Sequence, residues 1–386
     1  METATPISDA LPAAAMTSGH EILATLWFLL IAIILLGYFI LDGFDLGCGI
    51  LYPFITKKDE EKALVRRAIG PVWDGNEVWL LTGGGALFAA FAPAYATSFS
   101  GFYLAIMLVL FGLIFRAVAI EFRDRDTKWK KFWDRAFFIG SFVPALLFGA
   151  AIGNLIGGVA LVGTASTTHL ANGLVVGDYV GGFFSLLNPF ALLCAVLGLV
   201  AFITQGAAWL ALKAPLGTPL YRRAVKLRST FNVLELVVFI LVSAFFLLLV
   251  LPTFEGRGGM LFAYIFAAVF VFGWILARMF INKSNDRYSF LAINIIPVAL
   301  IGITAASLFP NLIPAAANPA GVFTYFLVPG QDIIADSLTI YNSANSELCL
   351  TAMTIITCIG LPLVLAYHVI IYRTFRGRIK QEDVGY

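Results

Sequence analysis

Charge is what this sequence has least of. Only 12% of its 386 residues are Asp, Glu, Lys or Arg, far below the roughly 25% of a soluble domain, which excludes a surface built to face water. Histidine is scarcer still: His20, His169 and His368 are the complete set, too few for a metal centre built from imidazoles. The four cysteines, Cys48, Cys194, Cys349 and Cys358, are scattered without CxxC or Cys/His spacing. That excludes a disulfide framework or a zinc site, and they read as small apolar residues. No Walker loop or GxGxxG marks a nucleotide site. A net charge of +2, with the basic residues in short loops, gives no reason to expect nucleic acid.

What is present is apolar surface, 60% of the residues, with a mean hydropathy of +0.91. About 20 apolar residues at 1.5 Å each cross a hydrocarbon core of roughly 30 Å. Nine runs of that order occur: Ile22 to Leu41, Val78 to Ala94, Phe99 to Ala119, Ala136 to Ile156, Leu186 to Leu212, Val233 to Leu251, Met260 to Ile281, Phe290 to Phe309 and Leu348 to Ile371. None alternates as a barrel strand does, so the expectation is an all-α polytopic membrane protein of about nine transmembrane helices. Every Lys and Arg except Arg257 falls on one side of that arrangement, so the positive-inside rule predicts an external N-terminus and a cytoplasmic C-terminus. Residues 1–21 have neither a positive n-region nor an apolar h-region and are expected to be an external tail rather than a cleavable signal.

A repeat is visible inside the chain. FILDG at Phe39 to Gly43 resembles FITQG at Phe202 to Gly206, and VPALLFG at Val143 to Gly149 resembles IPVALIG at Ile296 to Gly302, each of the latter followed by NLI. A shift of four helices preserves membrane sense. The reading is therefore two parallel four-helix bundles, 22–185 and 186–347, followed by a ninth helix and cytoplasmic tail, 348–386. The long outer loops, Gly157 to Ser185 and Pro310 to Glu347, are rich in small and polar residues and read as connections.

Acidic residues gather where the first helix ends and the second begins. Asp42 and Asp45 in LDGFDLG, and Asp74 and Glu77 in WDGNEVW, are each spaced i, i+3 and would share a helix face at the basic boundary. Ionisable groups near a membrane helix cost about 2.5 to 3.5 kcal/mol at its centre, so a proton or ion path is one reading and a solvated interface the other. Gly43, Gly47, Gly49, Gly75 and Gly83 to Gly85 would permit close helix approach or local unwinding. Glu235, seven residues after Arg228, either pairs with a loop arginine or handles a proton. The tryptophans fall near predicted interfaces and read mainly as an aromatic belt. Axial heme ligation usually draws on histidine. With His20 and His169 outside and His368 alone near the inner end of the last helix, any heme would be held by another chain.

LDGFDLGCG at Leu41 to Gly49, VWDGNEVWLLTGGGALFAAF at Val72 to Phe91, FSGFY at Phe99 to Tyr103, FRAVAIEFR at Phe115 to Arg123, IGSFVPALLFGAAIGNL at Ile139 to Leu155 and ITQGA at Ile203 to Ala207 together resemble subunit II of cytochrome bd-type quinol oxidases. The likeness runs from the first helix to YRTFRGRI at Tyr372 to Ile379, departing at Val72 and Ala117, where histidine and proline are common. The resemblance implies a subunit that binds no heme or metal itself. Its partner, subunit I, would hold two b-type hemes and heme d, oxidise ubiquinol or menaquinol and reduce dioxygen to water. It further implies a bacterial cytoplasmic (inner) membrane location, lipid and quinone as surroundings, and a small single-helix accessory subunit as a further partner. Carried over residue by residue, the proton-path aspartate falls on Asp74, the tryptophan near the oxygen route on Trp79 and the C-terminal tyrosine on Tyr386; Asp42 and Asp45 match the DGFD motif, with Glu77 one turn beyond Asp74. From the residues alone, a secondary transporter with a parallel repeat and a carboxylate cluster is the competing reading.

Overall fold

In hydrocarbon every backbone N–H and C=O must be satisfied within the chain, and helices do this locally. The computed structural model of the protein describes residues 16–126, 128–162, 178–179, 181–251, 259–315 and 337–379. Its helices are α1 (Ser18–Leu41), α2 (Gly43–Ile55), α3 (Asp59–Ile69), α4 (Trp73–Ala90), α5 (Ala92–Gly101), α6 (Tyr103–Phe122), α7 (Lys130–Gly157), α8 (Pro189–Lys213), α9 (Pro219–Phe245), α10 (Met260–Asn282), α11 (Asp286–Ile293), α12 (Ile295–Leu308) and α13 (Glu347–Thr374). Side chains cap several starts: Asn188 accepts from the Ala191 amide, Thr218 from Tyr221 and Ser346 from Cys349.

Among the described residues, eight spans are long and apolar enough to cross a membrane, α1 with α2 and α11 with α12 each counting as one. The ninth expected span, Val78 to Ala94, takes a different form. Its helix α4 starts earlier, at Trp73, and carries Asp74, Asn76, Glu77 and Thr82, which dilute its hydropathy. The helix stops at Phe91 (φ −136°, ψ 63°), with Pro93 in the first turn of α5, where proline's missing N–H costs nothing.

α1, α2, α4, α6 and α7 pack as one group and α8 to α12 as a second, with α13 laid against α1 and α4. The seam between the groups is α2 and α7 on α8. It closes at Gly47 and Gly206: a Cβ on Gly47 would collide with the Phe202 carbonyl, and one on Gly206 with the Gly47 backbone. Only glycine allows so close a crossing. Phe39 and Phe202, which hold the same place in FILDG and FITQG, stack across this seam with ring centroids 5.8 Å apart. Gly84 and Gly85, by contrast, face open space with nothing within 4 Å of a built Cβ.

At the end opposite the basic loops, the connections are more than linkers. Short strands β1 (Leu161–Val162) and β2 (Asp178–Tyr179) pair, as do β3 (Asn311–Ile313) and β4 (Leu338–Thr339), and a Val159–Ala315 bridge joins the two loops. Val159, Leu161, Ile313, Leu338 and Ile340 are buried in one apolar cluster with Trp27 and Phe91.

At the basic end, ion pairs hold α3 in place. Arg123 reaches Asp134 (3.0 Å), Asp59 (2.9 Å) and Asp124 (3.3 Å); Arg66 bonds Asp124 (2.5 Å), Lys62 bonds Asp134 (2.7 Å), and Arg223 of α9 bonds Glu61. Partial burial pushes the Glu61 carboxyl up, but the Lys57 amide and the Arg223 guanidinium outweigh it and hold the group below its ordinary value. Asp124 is held low in the same way, burial being outweighed by Arg66 and Arg123. A carboxyl held low in the folded state contributes stability that is present above its unfolded pKa, about 4, and is lost as pH falls through the folded value. The Tm difference between wild-type complex and Arg223→Gln is therefore expected to stay constant from about pH 8 down to about pH 5 and to shrink below about pH 4. A difference that grows on acidification would contradict this.

Candidate functional site

The acidic residues singled out by the sequence converge, but not on a solvated boundary. Asp42 sits at the break between α1 and α2, in the N-cap place of α2 without capping it, and is fully buried. Its two oxygens accept from Arg116 of α6, Nη1 to Oδ2 at 3.0 Å and Nη2 to Oδ1 at 2.7 Å. The same Nη2 reaches Glu77 Oε1 of α4 at 2.5 Å. Arg116 is itself 0% exposed and Glu77 23% by side chain. Two carboxylates from different helices thus share one buried guanidinium, an arrangement whose charge-assisted bonds fix α1, α4 and α6 against one another.

Asp45 takes a separate path. It lies on the same helical turn as Asp42 but pairs with Asn76, whose Nδ2 donates to Asp45 Oδ2 (2.7 Å) and to the Leu41 carbonyl (2.9 Å). Asn76 Oδ1 accepts from Tyr372 of α13 at 3.1 Å, so α2, α4 and α13 meet at one amide. Asp45 Oδ1 is buried without a hydrogen-bond partner among the described residues. Asp74 points elsewhere. Two residues on a helix are about 200° apart, so while Asn76 turns inward, Asp74 is exposed and enters no ion pair among the described residues. Arg66, on the preceding helix α3, bonds Tyr52 and Asp124.

Trp79 is buried rather than part of an interfacial belt, as are Trp27 and Trp209. Its Nε1 donates to His368 Nε2 at 3.1 Å, and His368 Nδ1 lies 2.9 Å from the Val364 carbonyl. A nitrogen that accepts cannot carry the proton, so Nδ1 carries it and donates to Val364: a neutral ring fixed at both nitrogens. Tyr372 stacks on that ring at 6.4 Å. Tyr386 lies outside the described residues.

Residues 23–375 match the family described as cytochrome bd terminal oxidase subunit II. The chain belongs to that family. It is 34% identical over 382 residues to the cytochrome bd-I ubiquinol oxidase subunit 2 of Escherichia coli (strain K12), covering 95% of this chain and 97% of the relative. To the cytochrome bd ubiquinol oxidase subunit 2 of Bacillus subtilis (strain 168) it is 32% identical over 373 residues, covering 95% and 99%. The structure of bd oxidase from Geobacillus thermodenitrificans shares the fold, with a TM-score of 0.67 at 15% identity over 92% of this chain and 98% of that one.

As a bd subunit II, the chain is an inner-membrane component of a quinol:oxygen oxidoreductase complex, which sets the transporter reading aside. Of the described histidines, His368 has both ring nitrogens engaged, and His20 Nε2 is bonded to the Asn345 carbonyl at 2.8 Å. Arg116, Asn76, Tyr372 and His368 complete the site and were not singled out by sequence. For Arg116 a signal was present, since it lies inside the apolar run Phe99 to Ala119 rather than after it.

Proposed function

We propose that this chain is the heme-free subunit II of its complex and forms a proton inlet from the cytoplasmic side. Quinol, ubiquinol as in the named relatives or menaquinol, is oxidised and dioxygen reduced in subunit I, where the b-type hemes and heme d reside. The observation that carries this reading is the acidic cluster at the basic end: an exposed carboxylate, Asp74, one turn from Glu77, which shares buried Arg116 with Asp42. A guanidinium between two carboxylates leaves one acid without a countercharge, and a proton is the smallest species that supplies it. The concentration of Lys and Arg in the loops at this end supports a cytoplasmic placement, with the N-terminus outside and the C-terminus inside. Trp79 borders the oxygen route, Tyr386 belongs to the proton path, and a single-helix accessory subunit packs at the complex's edge.

The heme assignment is tested by optical spectra of the chain purified with and without its partner. We expect no stoichiometric heme absorbance in the partner-free chain, because imidazole is the usual axial ligand and the described imidazoles are engaged. A heme-to-chain ratio near one would overturn it.

A further inference from the structure

The second group of helices contains a buried polar row outside the site described above. Arg228, Asn232 and Glu235 follow at i, i+4 and i+7 on α9, one face of a helix, and are 0%, 0% and 1% exposed. Arg228 donates Nη1 to Asp286 Oδ1 at 2.8 Å. Its Nε and Nη2 have no hydrogen-bond partner in the described structure, and the Asn232 amide and Glu235 carboxylate interact with each other without completing a well-formed hydrogen bond. An unmet buried polar atom keeps its desolvation cost, so a whole row of them calls for a partner. The described residues leave these atoms unmet, and water is the species that satisfies donors at one end and acceptors at the other.

The surroundings suit that. Ala208, Ala277 and Ala292, small and buried, form the core cluster here with Ile281 and Ile293. Ala277 is level with the row, because its neighbours on α10 reach α9: Trp274 Nε1 donates to the Asn232 carbonyl at 2.7 Å and Arg278 Nη1 to the Ser229 carbonyl at 3.0 Å. Toward the basic end, Asp286 also accepts from Tyr221 (3.1 Å) and from Arg378 (2.6 Å), and Arg378 is 28% exposed. Toward the other end, one turn past Glu235, Phe239 stacks on Phe270 with centroids 3.7 Å apart. That stack divides the row from an apolar cavity of about 160 Å³ lined by Phe239, Phe190 and Phe246.

We propose that the Arg228–Asn232–Glu235 face of α9 is a second, hydrated inlet from the basic end, through which the Glu235 carboxyl exchanges its proton with bulk water. It is independent of the Asp74 route, which runs on α4. The charged and titratable groups along it are Arg228, Asp286, Arg378, Tyr221 and Arg278.

Infrared hydrogen–deuterium exchange on the purified complex tests this. The expected result is a carboxylic-acid C=O band in the wild type that is absent in Glu235→Gln and shifts soon after transfer to D2O. In Asn232→Leu, which removes the middle of the row, that shift slows by roughly tenfold or more. Optical spectra establish that all three complexes carry the same heme content. A band that fails to shift means a sealed carboxyl, no difference between wild type and Glu235→Gln means no protonated carboxyl there, and unchanged exchange in Asn232→Leu means another entry; each overturns the proposal.

Discussion

Arg116→Leu is expected to leave less than about a tenth of the wild-type amount of assembled oxidase, because removing one partner of a buried ion pair costs about 3 to 5 kcal/mol. The substitution strips Asp42, fully buried, of both its bonds to Arg116 and takes from Glu77 its 2.5 Å partner. The residue count alone would rank it as one surface charge among many; its burial makes it the tie between α1, α4 and α6. Arg116→Lys keeps the charge but loses the two-nitrogen fork, and should assemble at an intermediate level. The double variant Asp42→Leu with Arg116→Leu removes both buried charges and should assemble better than Arg116→Leu alone, since matched apolar replacement of a buried pair is often tolerated. The check is heme absorbance per membrane protein across the four complexes. A double variant that assembles no better than Arg116→Leu would mean that the pair is not coupled.

The helical architecture was legible because it rests on a length rule: runs of apolar residues became α1, α6 to α8, α10, α12 and α13 within several residues of the expected bounds, while α9 begins well ahead of its apolar run, at Pro219 rather than Val233. Starts moved where polar residues precede the apolar run: α9 takes in Arg222 to Asn232, and in α4 Asp74, Asn76 and Glu77 lie inside the helix rather than ahead of it. Partners were the part the sequence left hidden. Asn76 meets Asp45 across 31 residues and Tyr372 across 296, and no local spacing encodes such a meeting. Asp42 and Asp45 were correctly placed on one turn, yet a helix face says nothing about what stands opposite, and one found Arg116 while the other found Asn76. Arg116 was misread because a topology rule counts arginines without asking whether each is in the loop. Glu235, expected to pair or conduct, pairs with no arginine among the described residues; the same burial that hides it from loop cations makes it informative.

In the proposed route protons enter through Asp74, the one carboxylate of the cluster that is exposed and outside every described ion pair. Asp74→Asn keeps the shape of the side chain and removes its titrating group. Because nothing in the described structure leans on that carboxylate, assembly and heme content should remain at wild-type levels. Quinol-dependent oxygen consumption should fall by roughly tenfold or more, in line with the loss of a positioned proton carrier. Glu77→Gln is expected to slow turnover less, since Asp74 still admits the proton. The deciding measurement is the steady-state oxygen-consumption rate of purified Asp74→Asn complex, normalised to heme, across about pH 6 to 8. A depressed rate throughout that range at full heme content is expected; a rate equal to wild type across it would contradict the proton role of Asp74.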